Sequence, residues 1–124
     1  MLLDTDVMVD VLRGHQPALI WFSGVTQSAA ALPGLGVMEL VQGCQSKPEL
    51  TRTQLLLVKF QWHWPTPADC LRAYQDFSNY HLSHGLGLLD SPIGATAVGL
   101  SVPLATFNVK HFGLIAGLQT VQPY

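Results

Sequence analysis

Charged side chains are scarce in this sequence. Asp, Glu, Lys and Arg make up only 11% of its residues, whereas a globular domain usually has roughly a quarter. Six Lys and Arg stand against eight Asp and Glu, which gives a net charge of −2. Because phosphate binding normally requires a basic excess, this composition excludes a general nucleic-acid coat. A polyanionic substrate would need a metal ion, or a basic patch that folding assembles from distant residues.

The sequence also has few cysteines and no long apolar run. Apolar runs such as residues 55–58 are far shorter than the ~18 residues that a membrane span needs. Asp4 stands where a signal peptide would carry Lys or Arg. We therefore expect a cytoplasmic protein that does not associate with membranes. Its two cysteines, Cys44 and Cys70, are expected to be buried free thiols.

Apolar residues, by contrast, are plentiful and make up 48% of the 124 residues. A chain of this length can bury roughly two thirds of its unfolded surface, so it needs no disulfide or metal to stabilise its core. We expect a single domain over residues 1–124. Since so little of its surface can be charged, we also expect an oligomer or a complex in which partners cover part of it.

The apolar spacing predicts an alternation of strands and helices. The predicted strands cover residues 2–4, 28–32, 103–106 and 119–122, with a further strand at the end of the helical stretch 48–64. The predicted helices cover residues 6–14, 18–23, 37–44, 48–64, 67–85 and 109–112, with one more beginning at Asp90. This alternation predicts an α/β fold with a mainly parallel sheet covered by helices on both faces.

Several polar residues are predicted to lie where strands end. Asp4 ends the first strand, Asp90 stands directly before a helix, and Thr106 and Asn108 follow the fourth strand. Glu39, predicted in the first turn of the helix after the second strand, can reach the same crevice. Functional sites form at this edge of a parallel sheet. Carboxylates gathered there repel one another unless a divalent cation neutralises them, and an all-oxygen ligand set selects Mg²⁺ or Mn²⁺ over zinc.

Four blocks of the sequence, in this order and spacing, resemble the PIN-domain ribonucleases, specifically the VapC-type toxins of bacterial and archaeal toxin-antitoxin pairs. The blocks are LLDTDVMVDVLRG, VMELVQG, DSPIGATAVGLSVPLAT and FNVKHF, and the ending GLQTVQPY extends the likeness to nearly the whole chain. The resemblance implies a three-layer PIN-like fold with a five-stranded, mainly parallel sheet flanked by helices. It also implies a Mg²⁺-dependent endoribonuclease that forms a homodimer and is inhibited by a cognate antitoxin.

The resemblance further implies roles for individual residues. Asp4, Glu39 and Asp90 match the three core acids of the family, which hold the metal ion. Asn108 stands where many members have a fourth acid, and Thr106 matches a hydroxyl that helps to orient a water molecule. When bound, the metal would polarise the phosphate and lower the pKa of water, so that hydroxide attacks in line at phosphorus.

Other residues near these blocks carry separate expectations. Asp6 matches a position that is Asp or Asn in the family, so we expect it to support the site or cap a helix. Asp10 has no counterpart and is expected to be a solvated helix residue. Ser91 and Pro92 replace the small apolar residues that usually follow the aspartate. Pro92 is tolerable only in the first helical turn, where its missing N–H has no intrahelical acceptor.

Two alternative functions remain open. An apolar strand followed by Asp4 and Asp6 imitates the nucleophile motif of haloacid-dehalogenase phosphatases, although Met8 replaces the usual Thr or Val and no later lysine sits at a strand end. A PIN-like fold made inactive by Pro92 would serve only as a binding module.

His111 is expected to pack or cap its own turn.

The sequence offers one candidate surface for a protein partner. The apolar helical segments around residues 7–12 and 55–58 could form a groove for an antitoxin helix.

Overall fold

The computed structural model describes residues 1–25 and 29–124, which form five strands and seven helices. The strands are β1 (Leu2–Leu3), β2 (Ala31–Pro33), β3 (Gln61–His63), β4 (Leu104–Ala105) and β5 (Thr120–Val121). The helices are α1 (Thr5–Leu12), α2 (Gln16–Ser23), α3 (Gly34–Gln42), α4 (Lys47–Leu57), α5 (Pro67–His84), α6 (Asp90–Leu100) and α7 (Val109–Phe112). All strand pairs are parallel in the order β3-β2-β1-β4-β5, which confirms the predicted α/β architecture.

The central strand β1 shows why the sheet is parallel and covered on both faces. Leu2 and Leu3 point to opposite faces, and each is only 1% exposed. Leu3 packs in one apolar cluster with Leu32, while Leu2 packs in a second cluster with Phe112. A strand that is apolar on both sides requires helices on both faces of the sheet, which is the usual setting of parallel strands.

Helix α3 begins three residues earlier than its sequence pattern predicts. Pro33 is the last residue of β2 and Gly34 is the first residue of α3, so this pair does not form the predicted turn. Gly34 packs so closely against the ring of Trp64 that a Cβ at this position would overlap the ring. As a result Glu39 lies in the second turn of α3 and not in the first. Residues 26–28, where part of the second strand was predicted, lie outside the described residues.

Ser91 and Pro92 fit into the first turn of α6. Pro92 is the third residue of the helix, within the first turn as its chemistry requires. Ser91 donates both its backbone N–H and its hydroxyl to the carbonyl oxygen of Gly87, at 3.3 and 3.2 Å. These bonds fix the start of α6, and therefore the backbone of Asp90.

Both cysteines are free, as expected, but the expected burial is wrong for one of them. Cys44 is half-buried, whereas Cys70 is exposed. Cys70 lies on α5, an outer helix of 18 residues in which Ala73 is the one fully buried side chain. Among the described helices, none is both long and apolar enough to cross a membrane.

Candidate active site

Asp4 lies at the carboxyl end of the central strand and caps the helix that follows. Its backbone remains extended, and its Oδ1 accepts the N–H of Thr5 at 2.8 Å. Its Oδ2 accepts the hydroxyl of Thr106 at 2.8 Å. The two residues meet because β1 and β4 are neighbours in register, with Leu3 opposite Ala105. Asp4 is only 6% exposed and Thr106 is fully buried, so this bond lies inside the protein.

Asp6 supports the loop that follows β4. Its Oδ2 accepts the backbone N–H of Phe107 at 3.0 Å and lies 3.5 Å from the Thr106 hydroxyl oxygen. Asn108 in turn donates its backbone N–H to the Thr106 hydroxyl oxygen at 3.0 Å. Thr106 therefore joins the first and last parts of the chain in one hydrogen-bonded network. Asp4 is the N-cap residue, and Asp6 Oδ1 accepts the N–H of Val7 in the first turn at 2.7 Å, so Asp6 both supports the loop and helps to cap α1.

Asp90 and His111 extend this network on the other side of Asn108. The Nδ1 atom of His111 lies 3.4 Å from the amide nitrogen of Asn108 and 4.0 Å from Asp90 Oδ2. His111 was expected to pack or cap its own turn, so its place beside Asp90 and Asn108 was not predicted. Its position three residues after Asn108, on the short helix α7, is the signal that could have placed it there, since residues three apart share a helix face.

A glycine leaves the space that the Asp90 carboxylate occupies. A Cβ added to Gly87 would lie only 2.7 Å from Asp90 Oδ2. That distance is well below van der Waals contact, so the observed rotamer of Asp90 requires glycine at this position. The conformation of Asp90 therefore depends on its own helix start and on the residue three positions earlier.

Glu39 reaches the edge of this network through Thr5. Its Oε1 accepts the Thr5 hydroxyl at 2.9 Å, while the backbone N–H of Thr5 is bonded to Asp4. Close packing favours this contact, because a Cβ at Gly36 would lie 3.2 Å from the Thr5 hydroxyl oxygen. The structure thus places Glu39 beside Asp4 with Thr5 between them.

The electrostatics of this cluster are dominated by one buried carboxylate. Burial, together with the negative charge of Asp6 and a smaller effect from Asp90, raises the pKa of Asp4 to about 7. The hydrogen bonds from Thr106 and Thr5 oppose this rise without cancelling it. Burial likewise raises the pKa of Asp6. Negative charge is therefore concentrated where it is poorly solvated.

The donor set has the chemistry of a site for a hard cation. Its side chains offer carboxylate, hydroxyl and amide oxygens, which Mg²⁺ and Mn²⁺ prefer. As they are placed, no three His, Cys, Asp or Glu side chains among residues 1–25 and 29–124 form a group that could hold a metal ion. Hydrogen bonds join Asp4, Thr106 and Asn108, while Asp90 approaches them only through a 4.0 Å contact with His111. The Glu39 carboxylate is bound to Thr5.

A crevice opens next to Glu39, between α1, α3 and α4. It has a volume of about 280 Å³, and its lining includes Arg13 and Arg52 as well as Glu39 and Glu49. The two arginines are far apart in the sequence and are brought together by folding, but the two glutamates balance their charge, so the crevice is not a net basic patch.

A five-stranded parallel sheet with acidic residues at its carboxyl edge is the architecture that the resemblance to PIN domains implies. No protein-family profile matches the chain. Ribonuclease VapC10 of Mycobacterium tuberculosis is 32% identical over 121 residues, which cover 96% of this chain and 90% of that protein. Ribonuclease VapC19 of the same organism is 27% identical, over 95% of this chain and 96% of that protein. The chain therefore belongs to the VapC ribonuclease family.

Solved structures agree with this assignment. A toxin-antitoxin complex from Klebsiella pneumoniae contains a chain that matches with a TM-score of 0.80 and 27% identity, over 99% of this chain and 97% of that one. FitAB bound to a DNA fragment matches with a TM-score of 0.82 over 98% of this chain and 94% of the other. At 24% identity, the latter match concerns the fold alone.

The raised pKa of Asp4 predicts a stability effect of Asp4→Asn. The pKa rises from 3.8 to about 7, so the folded state holds the proton more tightly and loses stability as the pH rises from about 4 through 7. Asn cannot ionise. At pH 8, with a chelator present, we expect Asp4→Asn to be more stable than wild type by about 4 kcal/mol, which is of the order of 10 °C in Tm. At pH 4 the two Tm values should converge.

Asn at position 4 can keep the local hydrogen bonds, which makes the comparison a test of charge. Its oxygen can accept the N–H of Thr5, and its amide can donate to the hydroxyl oxygen of Thr106. Asp4→Ala is the control, since it loses the cap as well and should gain less at pH 8. A Tm of Asp4→Asn at or below that of wild type at pH 8 would contradict the buried-charge explanation.

Proposed function

We propose that this protein is a Mg²⁺-dependent endoribonuclease and the toxin of a VapBC-type toxin-antitoxin pair, with Mn²⁺ as a substitute ion. Membership of the VapC family gives the class of reaction. The observation that carries the proposal for this chain is the buried Asp4 carboxylate, whose pKa is raised to about 7 by burial and by neighbouring acids. Such a carboxylate favours a divalent cation as its counter-charge.

Asp4, Glu39 and Asp90 would hold the ion, and because they form no metal-binding group as they are placed, their side chains would have to move closer together around it. Asp4 and Asp90 are close enough for their charges to interact, and Glu39 lies next to Asp4 across Thr5. When bound, a divalent cation polarises a phosphate oxygen and lowers the pKa of water. The side chains of the protein must then hold the acids in place and accept a proton.

Thr106, Asn108 and Glu39 have different roles in the proposed reaction. Thr106 fixes one oxygen of Asp4 through a buried hydrogen bond. Asn108 carries no charge on its side chain, so it can orient a water molecule but cannot act as a base. Glu39 is then the acid that accepts the proton of the attacking water or holds a second ion.

Charged side chains in the crevice indicate how RNA would bind, and exposed apolar side chains indicate where an antitoxin would bind. Arg13 and Arg52 line the crevice together with Glu39 and Glu49, and their guanidinium groups are the cations that we expect to contact RNA phosphates in a protein of net negative charge. For a cognate antitoxin, the candidate groove includes the exposed side chains of Leu12, Leu55 and Val58. We also propose that residues 1–124 form one PIN domain that acts as a homodimer in the cytoplasm.

The two alternatives have less support. The relatives are named as ribonucleases, and Asp6, which would assist a phosphatase nucleophile, instead accepts the backbone N–H of Phe107. An inactive binding module was suggested by Pro92. Because Pro92 lies in the first turn of α6, it leaves Asp90 within the acidic network.

The function is tested with purified protein and a panel of RNAs, with Mg²⁺ or with a chelator. We expect cleavage only with the metal, and we expect Asp4→Asn and Asp90→Asn each to reduce the rate at least about a hundredfold, since each removes a charged ligand. Asp76→Asn, on the outer helix α5, is the matched control and should cleave normally.

Three results would contradict the proposal. Cleavage that persists in the chelator, or in Asp4→Asn, would show that the acidic edge is not the site. Hydrolysis of an aryl phosphate in place of RNA would favour the phosphatase. Tight binding of an antitoxin without any RNA cleavage would favour the inactive module.

A second prediction concerns Gly87. In Gly87→Ala the new Cβ would displace the Asp90 carboxylate, which lies 2.7 Å from its position. A displacement of about 1 Å at a catalytic group can cost about a hundredfold in rate, so we expect a loss of roughly ten- to a hundredfold in cleavage at saturating Mg²⁺. The thermal unfolding midpoint should stay nearly unchanged, because a carboxylate that is partly exposed can move into solvent.

Gly24→Ala is the matched control for this substitution. A Cβ at Gly24, at the end of α2, would make an ordinary contact, at 3.5 Å from the carbonyl oxygen of Trp21. It should leave the cleavage rate unchanged. Full activity of Gly87→Ala would mean that the observed position of Asp90 is not needed for the reaction.

A further inference from the structure

Tyr124 contacts Phe107, in the loop beside the candidate active site, and is not itself bonded to Asp4 or Thr106. Its hydroxyl donates a 2.7 Å hydrogen bond to Asp10 Oδ2. Its ring meets that of Phe107 edge-on, with 4.8 Å between the ring centroids. The rings of His15 and Trp21 lie 6.0 and 6.2 Å from it. Tyr124 therefore connects α1 and α2 to the loop that follows β4.

Two aspartates of α1 hold the two ends of this contact. Asp6 and Asp10 are four residues apart, so they lie on the same helix face, about one turn from each other. Asp6 accepts the backbone N–H of Phe107 at 3.0 Å, while Asp10 accepts the Tyr124 hydroxyl. These contacts form a closed circuit that runs from α1 through Tyr124 and Phe107 and back to α1. Phe107 is thereby held by its backbone and by its side chain.

Phe107 stands between the two polar residues of the loop. The Thr106 hydroxyl donates to Asp4 Oδ2 at 2.8 Å and accepts the N–H of Asn108 at 3.0 Å. A movement of Phe107 would therefore move the donor to Asp4 and the side chain of Asn108 together. The loop is too short to absorb such a movement, since β4 ends at Ala105 and α7 begins at Val109.

We propose that Asp10 and Tyr124 form a latch that positions Thr106 and Asn108 for RNA cleavage. This inference rests on the proposed function, because the position of the loop matters for catalysis only if this edge is the active site. Asp10 and Tyr124 act through Phe107 and are positioning residues. Loss of the latch should therefore lower the rate of the chemical step and leave the affinity for RNA unchanged.

The hydroxyl of Tyr124 is the donor in the latch. Partial burial, followed by the hydrogen bond to Asp10 and nearby negative charge, raises the pKa of Tyr124, so the hydroxyl keeps its proton. Phe at position 124 would keep the ring contacts and lose the hydrogen bond. Asn at position 10 would keep an acceptor for the hydroxyl. These two substitutions separate the hydrogen bond from the packing of the ring and from the charge of Asp10.

The latch is tested with Tyr124→Phe, Asp10→Ala, the double variant and Asp10→Asn. We measure the hydrogen-exchange rate of the Phe107 backbone amide by NMR, and kcat and KM for an RNA that the wild type cleaves. Loss of the hydrogen bond should raise the exchange rate and lower kcat, each about fivefold, with KM unchanged. The double variant should equal either single variant, because all three remove the same bond. Asp10→Asn should behave like wild type.

Tyr74→Phe is the matched control, since Tyr74 is 68% exposed on α5 and should affect neither quantity. A Phe107 exchange rate in Tyr124→Phe equal to that of wild type would overturn the latch, whatever the activity. Faster exchange with an unchanged kcat would overturn its positioning role. A wild type that cleaves no RNA would instead overturn the proposed function, and the exchange rates would still decide whether the latch holds the loop.

Discussion

The arrangement depends on one buried carboxylate. Asp4 uses one oxygen to cap α1 and the other to bind the Thr106 hydroxyl, so a single side chain joins β1, α1 and the end of β4. Its pKa, raised to about 7 by burial and by neighbouring acids, shows that these hydrogen bonds do not fully offset the cost of burying its charge. An ordinary helix cap would sit at the surface and avoid this cost. A divalent cation bound to the carboxylate would offset this cost.

The three aspartates near the start of the chain have three different partners from its last quarter. Asp4 binds Thr106, Asp6 binds the backbone of Phe107, and Asp10 binds Tyr124. Each bond spans more than a hundred residues of sequence. These contacts fasten the end of the chain to the first helix. They also explain why acids spaced so closely are tolerated, since each has a donor of its own.

Periodicity and the rule for parallel sheets were enough to predict the order of the elements and the meeting of Asp4 with Thr106. They were not enough at three places. Pro33 and Gly34 are typical of a turn, yet a helix starts directly at Gly34, where the missing Cβ leaves room for the Trp64 ring. Asp10 was expected to be solvated, because no local pattern reports a partner 114 residues away. His111 was missed because its relation to Asp90 exists only after α6 and α7 pack together.

The most direct measurement is a crystal structure of the protein grown with Mn²⁺, in which anomalous scattering locates the ion. The account predicts an Mn²⁺ ion at the carboxyl edge of the sheet, within about 2.2 Å of carboxylate oxygens of Asp4 and Asp90. Mn²⁺ bound only elsewhere at a pH above 8, with the Asp4 carboxylate still bonded only to Thr5 and Thr106, would contradict it.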